Sequence, residues 1–248
     1  MEYWSSGRQF DVDAYVALVD FIRYGFYRNR KDELAHRYIE QAQKALDEIT
    51  QSQSNPAGRV ALLEGKGDHL SDIFGKRVKD VKIGKGKVHN TDRMFLESVC
   101  DDFIPQLRHA SYNIRLLCRR YFQEQDLGKL HDRLVEIKGV GKKIASLFVR
   151  DMLILYDKEN ERKSLEKLTK NQLLYVYPVD TWVRNISNQI LGKKGVSDDQ
   201  LASEIFERCE EYGVSPVYVN HGIWYVGAHS QKFLLHNLEK VDGFKVVD

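Results

Sequence analysis

Close-set cysteines, an excess of charge of one sign and long apolar runs are all missing from this chain of 248 residues, and each absence removes a class of protein. The three cysteines, Cys100, Cys118 and Cys209, are far apart and odd in number, which fits reduced thiols in an intracellular protein and not a disulfide framework. Cysteine ligation of zinc or an iron–sulfur cluster needs closely spaced ligands, and none exist. The eight histidines show no ligand spacing either, so His221 and His229 read as structural or surface residues, and no cofactor or metal is expected. With 38 basic and 36 acidic residues, the net charge is only +2. A polyanion partner would therefore have to be met by local clustering, not by a global field. The stretch MEYWSSGRQFDVDAYV carries acids and no apolar core, so a secretion signal is not expected. No segment has the apolar length of a membrane span. The expectation is an intracellular protein of cytoplasm or nucleoid, monomeric and without a membrane partner.

What is present is helical periodicity. At 42% hydrophobic the chain can bury a substantial core, as one large domain or two small ones. Residues 11–27 place Val12, Tyr15, Val16, Val19, Ile22 and Phe26 on one face behind a possible Asp11 cap, and residues 32–49 repeat the pattern. TQSQSNPAGR, ending at Arg59, reads as a loop and a candidate domain crossing. Leu70 to Val88 is ambiguous, being punctuated by Gly75, Gly84 and Gly86 and rich in Lys and Arg; a short strand or loop pair fits it. A helix capped by Thr91 runs towards Pro105. Another spans 111–123, with Ile114, Leu117, Cys118 and Tyr121 inward and Arg115, Arg119 and Arg120 at the rim. No internal repeat or low-complexity tract interrupts the pattern. The fold class expected is all-α.

The densest signal is LHDRLVEIKGVGKKIASLFVRDMLILY, residues 130–156. A short helix ending near Ile137 meets Gly139-Val140-Gly141, and a second begins at Lys142 or Lys143. Glycine accepts positive φ and admits a close backbone, so this pattern permits a tight hairpin with Val140 pinned to the core. The amides that open the second helix then point outward, and with the helix dipole they suit a phosphate. Lys138 and Lys142 add charge beside them, enough to grip a DNA backbone without reading sequence. The plainer alternative is a glycine turn between core helices with solvated lysines.

This stretch resembles the helix-hairpin-helix DNA glycosylase superfamily, which includes endonuclease III and the 8-oxoguanine glycosylases. The resemblance implies that Lys143, second after the second hairpin glycine, is the nucleophilic lysine of lyase-competent members. It also implies that an aspartate heads a later helix; YPVDTWVR supplies Asp180. The likeness covers about 130–191 and is diffuse elsewhere. It implies two helical domains flanking a DNA-binding cleft, with residues 60–175 as the central domain carrying the helix-hairpin-helix, and 1–59 with 176–248 as the second. The missing cysteine loop departs from endonuclease III and implies no iron–sulfur cluster. Lys143 and Asp180 are more widely spaced than usual because of DKENERKSLEKLTKNQ, which should lengthen the helix after the hairpin and add an excursion. These features look nearer to compact archaeal-type 8-oxoguanine glycosylase/lyases.

The residues themselves favour Asp180 as a helix start. Pro178 biases Tyr177 towards extended backbone, and TWVRNISNQILG is amphipathic, with Val183, Ile186 and Ile190 inward and Gly192 as stop. An N-cap carboxylate is held ionised by amides and dipole. In the expected chemistry a neutral Lys143 amine attacks the sugar's anomeric carbon, which calls for desolvation or for nearby positive charge such as Lys142. Asp180 stabilises the developing sugar cation, and a Schiff base then eliminates the 3′ phosphate. The target, a modified base in double-stranded DNA, must first leave the stack. Tyr175, Tyr177, Trp182 and Trp224 are core residues or base contacts. VNHGIWYVGAHS, with Gly222 and Gly227, either lines a pocket or packs two helices closely. Two rivals stay open: a non-enzymatic helix-hairpin-helix DNA-binding protein, and a monofunctional glycosylase that activates water with Asp180.

Overall fold

The computed structural model describes residues 12–27, 32–160, 168–193 and 195–238, and among them there are helices and connections but no strand. The all-α class expected from periodicity is what the chain adopts. Two compact units divide it, one of Gln9–Phe148 and one containing Val149–Asp248.

The first unit runs through α1 (Ala14–Phe26), α2 (Asp32–Thr50), α3 (Pro56–Ala61), α4 (Gly67–Asp80), a 3-10 turn (Ile83–Gly86) and α5 (Asn90–Ser98). A π turn (Val99–Phe103) and a 3-10 turn (Ile104–Ala110) follow, then α6 (Ile114–Glu124), α7 (Leu127–Val135) and the start of α8 (Lys142–Asn160). Its core is aromatic. Phe21 of α1 lies 5.3 Å from Phe103 and 5.0 Å from Phe148, and Phe26 meets Phe74 at 5.4 Å and Phe95 at 5.9 Å. A Cβ at Gly25 would run into the Phe95 ring, so this glycine lets α1 and α5 approach. These rings tie α1 to residues up to Phe148, and the chain from Val149 onward falls in the other unit. The division therefore differs from the expected grouping of 1–59 with 176–248.

Several local expectations are corrected. The cap of α1 is Asp13, whose Oδ1 accepts from the Val16 amide at 2.8 Å; Asp11 lies outside the described residues. TQSQSNPAGR is no domain crossing, because Asn55 caps α3 by accepting from Gly58 N at 2.9 Å and both sides stay in one unit. No strand forms between Leu70 and Val88, where α4 and the 3-10 turn take the chain. Thr91 sits inside α5, behind His89 as cap residue. Arg115 is not at a rim: it is 1% exposed, and its guanidinium meets the Asp20 carboxylate of α1 at 2.6 Å. An ion pair with a partner elsewhere in the chain is invisible to helical periodicity.

The second unit continues α8 and adds α9 (Lys170–Leu174), α10 (Thr181–Leu191), α11 (Asp198–Glu211) and α12 (Pro216–Leu238). Capping boxes start α9 at Thr169 with Gln172 and α11 at Ser197 with Gln200. Gly192 ends α10 at φ +63°. A Cβ at Gly227 would come 2.6 Å from Trp182 Cβ and 3.2 Å from Ile186, so α12 packs tightly on the first turns of α10. Ile190, one turn further on, is 51% exposed instead of inward as its spacing implied. The long α8, reaching Asn160, agrees with the expected lengthening after the hairpin; most of the expected excursion, residues 161–167, lies outside the described residues.

Candidate functional site

The connection from α7 to α8 is built around one buried valine. Val140 is 4% exposed, and its amide donates to the Ile137 carbonyl at 2.9 Å. Gly139 turns the chain at φ +84°, in the left-handed region that favours glycine. Gly141 does not share that demand: its φ is not positive, and a Cβ there would meet nothing within 4 Å. Its carbonyl accepts from Ile144 and Ala145, both at 3.0 Å, so it opens α8. Lys138, Lys142 and Lys143 surround this turn, all exposed.

Two side chains that sequence reasoning passed over hold the turn in place. The Lys138 amide donates to Ser98 Oγ at the end of α5 at 3.0 Å, and that hydroxyl donates to Asp102 at 2.8 Å. His131 of α7 is 5% exposed, with Nε2 3.3 Å from the Lys142 carbonyl. The turn is thus tied both to α5 and to α7. Of the two conditions the chemistry offered, exposed Lys143 is not desolvated, and the neighbouring charge of Lys142 is the one the turn supplies.

Asp180 sits in the second unit in the opposite condition. It is the N-cap of α10, 9% exposed, and its Oδ1 accepts from the Val183 amide at 2.9 Å. Val183 and Ile186 are buried as expected. The approach to it, residues 177–180, is held by a buried polar chain: Arg150 of α8 donates to Asn220 Oδ1 at 2.7 Å, and Asn220 Nδ2 donates to the Pro178 carbonyl at 3.1 Å. Arg150 is 2% and Asn220 0% exposed. Asp151 shares the guanidinium charge at 2.7 Å. The only sequence signal was a lone arginine within the apolar run LFVRDML, and nothing marked Asn220 as its partner.

Of the aromatic candidates, Tyr177 is core: it is buried, packs edge-on to Phe206 at 5.1 Å, and burial pushes its hydroxyl above its ordinary range against the opposing pull of Asn220 and Ser187. Tyr175, Trp182 and Trp224 are half-buried. Gly227 is a packing glycine, whereas a Cβ at Gly222 would meet nothing within 4 Å. His221 is half-buried, and burial followed by the nearby Arg150 charge lowers its proton affinity; the His229 side chain lies outside the described residues. Cys100 and Cys118 are fully buried, and burial raises both thiols above their ordinary range.

The structure therefore brings Lys138, Gly139, Val140, Gly141, Lys142 and Lys143 into one turn of the first unit, and places Asp180 at a helix start in the second. Among the described residues, no group of three or more His, Cys, Asp or Glu side chains is arranged to hold a metal, and no helix is long and apolar enough to cross a membrane. Comparison of the chain with protein-family models, with curated proteins and with solved structures finds no match.

Proposed function

We propose that this chain grips duplex DNA through a helix-hairpin-helix at Lys138–Lys143 and excises a modified base, with 8-oxoguanine-type damage the favoured substrate class. The observation that carries the reading is the α7–α8 turn itself. A buried Val140 and a left-handed Gly139 leave three exposed lysines around the opening of a helix, an arrangement suited to phosphate oxygens. Gly141, with open space where a side chain would be, lets a DNA backbone come close to the first amides of α8.

In this reading Lys143 attacks the anomeric carbon. The base leaves, and the resulting Schiff base loses the 3′ phosphate by elimination, so that the chain is a glycosylase and a lyase. Asp180 supplies the fixed negative charge that the sugar cation needs in its transition state. Its burial and the amide bond from Val183 fit that role, because a carboxylate held by a cap does not have to reorganise. The exposure of Lys143 also favours one rival, a DNA-binding protein without catalysis in which this lysine is one more phosphate contact.

Borohydride trapping on DNA carrying an abasic or oxidised site separates the readings, since only an amine nucleophile is cross-linked. We expect trapping by the wild type and none by Lys143→Gln, with abasic-site binding held within about tenfold, or about 1.4 kcal/mol. Strand cleavage at wild-type rate by Lys143→Gln would remove the nucleophile assignment. Base release without any trapping would point to water activated by Asp180.

A further inference from the structure

The longest basic stretch in the first unit lies away from the α7–α8 turn. Lys76 and Lys79 end α4, and Lys82, Lys85 and Lys87 follow in the 3-10 turn and its exit; all five are exposed. Several other lysines are matched with acids, as are Lys44 with Glu40, Lys129 with Asp126 and Lys193 with Glu204. Here Arg77 pairs with Glu48 at 2.5 Å and Arg93 with Asp72 at 3.5 Å, which leaves exposed Asp80 as the one carboxylate within the stretch. Among the described residues none of the five lysines has an ion-pair partner. In a chain of net charge +2 this is a strong local concentration of positive charge.

The backbone under that charge is fixed. Ile83 is 1% exposed and plugs the turn into the core, Tyr38 Oη donates to the Lys87 carbonyl at 2.8 Å, and a Cβ at Gly84 would lie 2.5 Å from the same hydroxyl. Gly84 and Gly86 take positive φ, at +55° and +74°, but so do Lys82 at +51° and Lys85 at +64°. Glycine would adopt that conformation without steric cost and lysine does not. At Lys82 and Lys85 an ammonium group thus sits where glycine would suit the backbone better. The construction repeats that of the α7–α8 turn: a buried aliphatic plug, Ile83 or Val140, beside a left-handed glycine and flanked by exposed lysines.

One helix joins the two turns. The 3-10 turn leads into the N-terminus of α5 at Asn90, while Ser98 at its other end accepts the Lys138 amide. Eight residues of rise at 1.5 Å put these ends about 12 Å apart along the axis, close to the width of the DNA major groove. We infer that the Lys82–Lys87 turn, with Lys76 and Lys79 before it, is a second phosphate-gripping surface for duplex DNA, at the opposite end of α5 from the turn at Lys138. This rests on the DNA-binding reading above and adds to it where a second stretch of sugar-phosphate backbone lies.

The test is the salt dependence of binding of the full chain to an undamaged labelled duplex, followed by fluorescence anisotropy. A triple variant, Lys82→Gly with Lys85→Gly and Lys87→Gln, removes three charges and puts glycine where φ is already positive, so its melting temperature should hold or rise. We expect the slope of log affinity against log salt to flatten by about 0.9 for each lost contact, two to three contacts in all, with affinity down at least about tenfold. An unchanged slope in the triple variant, while Lys142→Gln still flattens it, overturns this inference and leaves the reading of the α7–α8 turn intact. A wild type without salt-dependent duplex binding overturns both. Vesicles of phosphatidylserine and phosphatidylcholine form the control: loss of vesicle binding with duplex binding unchanged would assign the patch to an anionic membrane surface and overturn it in favour of that partner.

Discussion

Two helix starts carry the proposed chemistry, and they solve the same physical problem in opposite ways. Every helix opens with amides that lack an intrahelical acceptor. At α10 the chain supplies the acceptor itself: Asp180 turns its carboxylate onto Val183 N and is 9% exposed. Its approach is braced by Asn220 and Arg150. At α8 the entering residues are Gly141, Lys142 and Lys143, whose side chains offer no acceptor at all, and all three are exposed. A self-capped start is a rigid place to hold a negative charge. A start flanked by cations is suited to an anion brought from outside. One or two side chains thus decide whether the opening amides of a helix are satisfied from within or left facing outward.

The sharpest way to break this contrast is Asp180→Asn. A cap needs only an acceptor, and Asn caps about as well as Asp, so the melting temperature should stay nearly unchanged. The charge is gone, however, and single-turnover base release should slow by on the order of a hundredfold. Excision within a few-fold of wild type would reduce Asp180 to a cap.

Asn220→Ala tests the brace behind that cap. It leaves the Pro178 carbonyl and part of the Arg150 guanidinium buried without their partner, which should destabilise the protein by about 1–3 kcal/mol. Calorimetric unfolding measures it. No loss of stability would mean that the loop before Asp180 is held by apolar packing alone.

The two glycines beside Val140 should then part company. Gly139→Ala forces a Cβ into φ +84° at about 1–2 kcal/mol, a fall in melting temperature of roughly 2–8 °C for a chain of this size. Gly141→Ala meets neither strain nor neighbour, so stability should hold or rise slightly while duplex binding weakens because the backbone can no longer approach. Equal losses of stability would contradict the different duties assigned to them. The smallest effect expected is that of Lys142→Gln, a broad weakening across DNA sequences with the salt slope flattened by about 0.9. An unchanged slope would show that Lys142 is merely solvated.

Helicity, and the positions of the clearest breaks between helices, were legible in the residues alone. The 3.6-residue spacing, Gly192 as a stop, Asp180 as a cap and Val140 as a buried plug are all local properties, readable because capping, positive φ and amphipathic spacing involve residues a few positions apart. The features that were not legible there depend on partners far along the chain. Arg115 is drawn inward by Asp20 and Arg150 by Asn220. Lys138 N is met by Ser98, and the aromatic face of α1 is filled from Phe95, Phe103 and Phe148, which sets the unit boundary. Periodicity sees which face of a helix is apolar and is blind to what that face will meet. For that reason Arg115 reads as a rim residue until the structure shows the Asp20 carboxylate that takes it into the core.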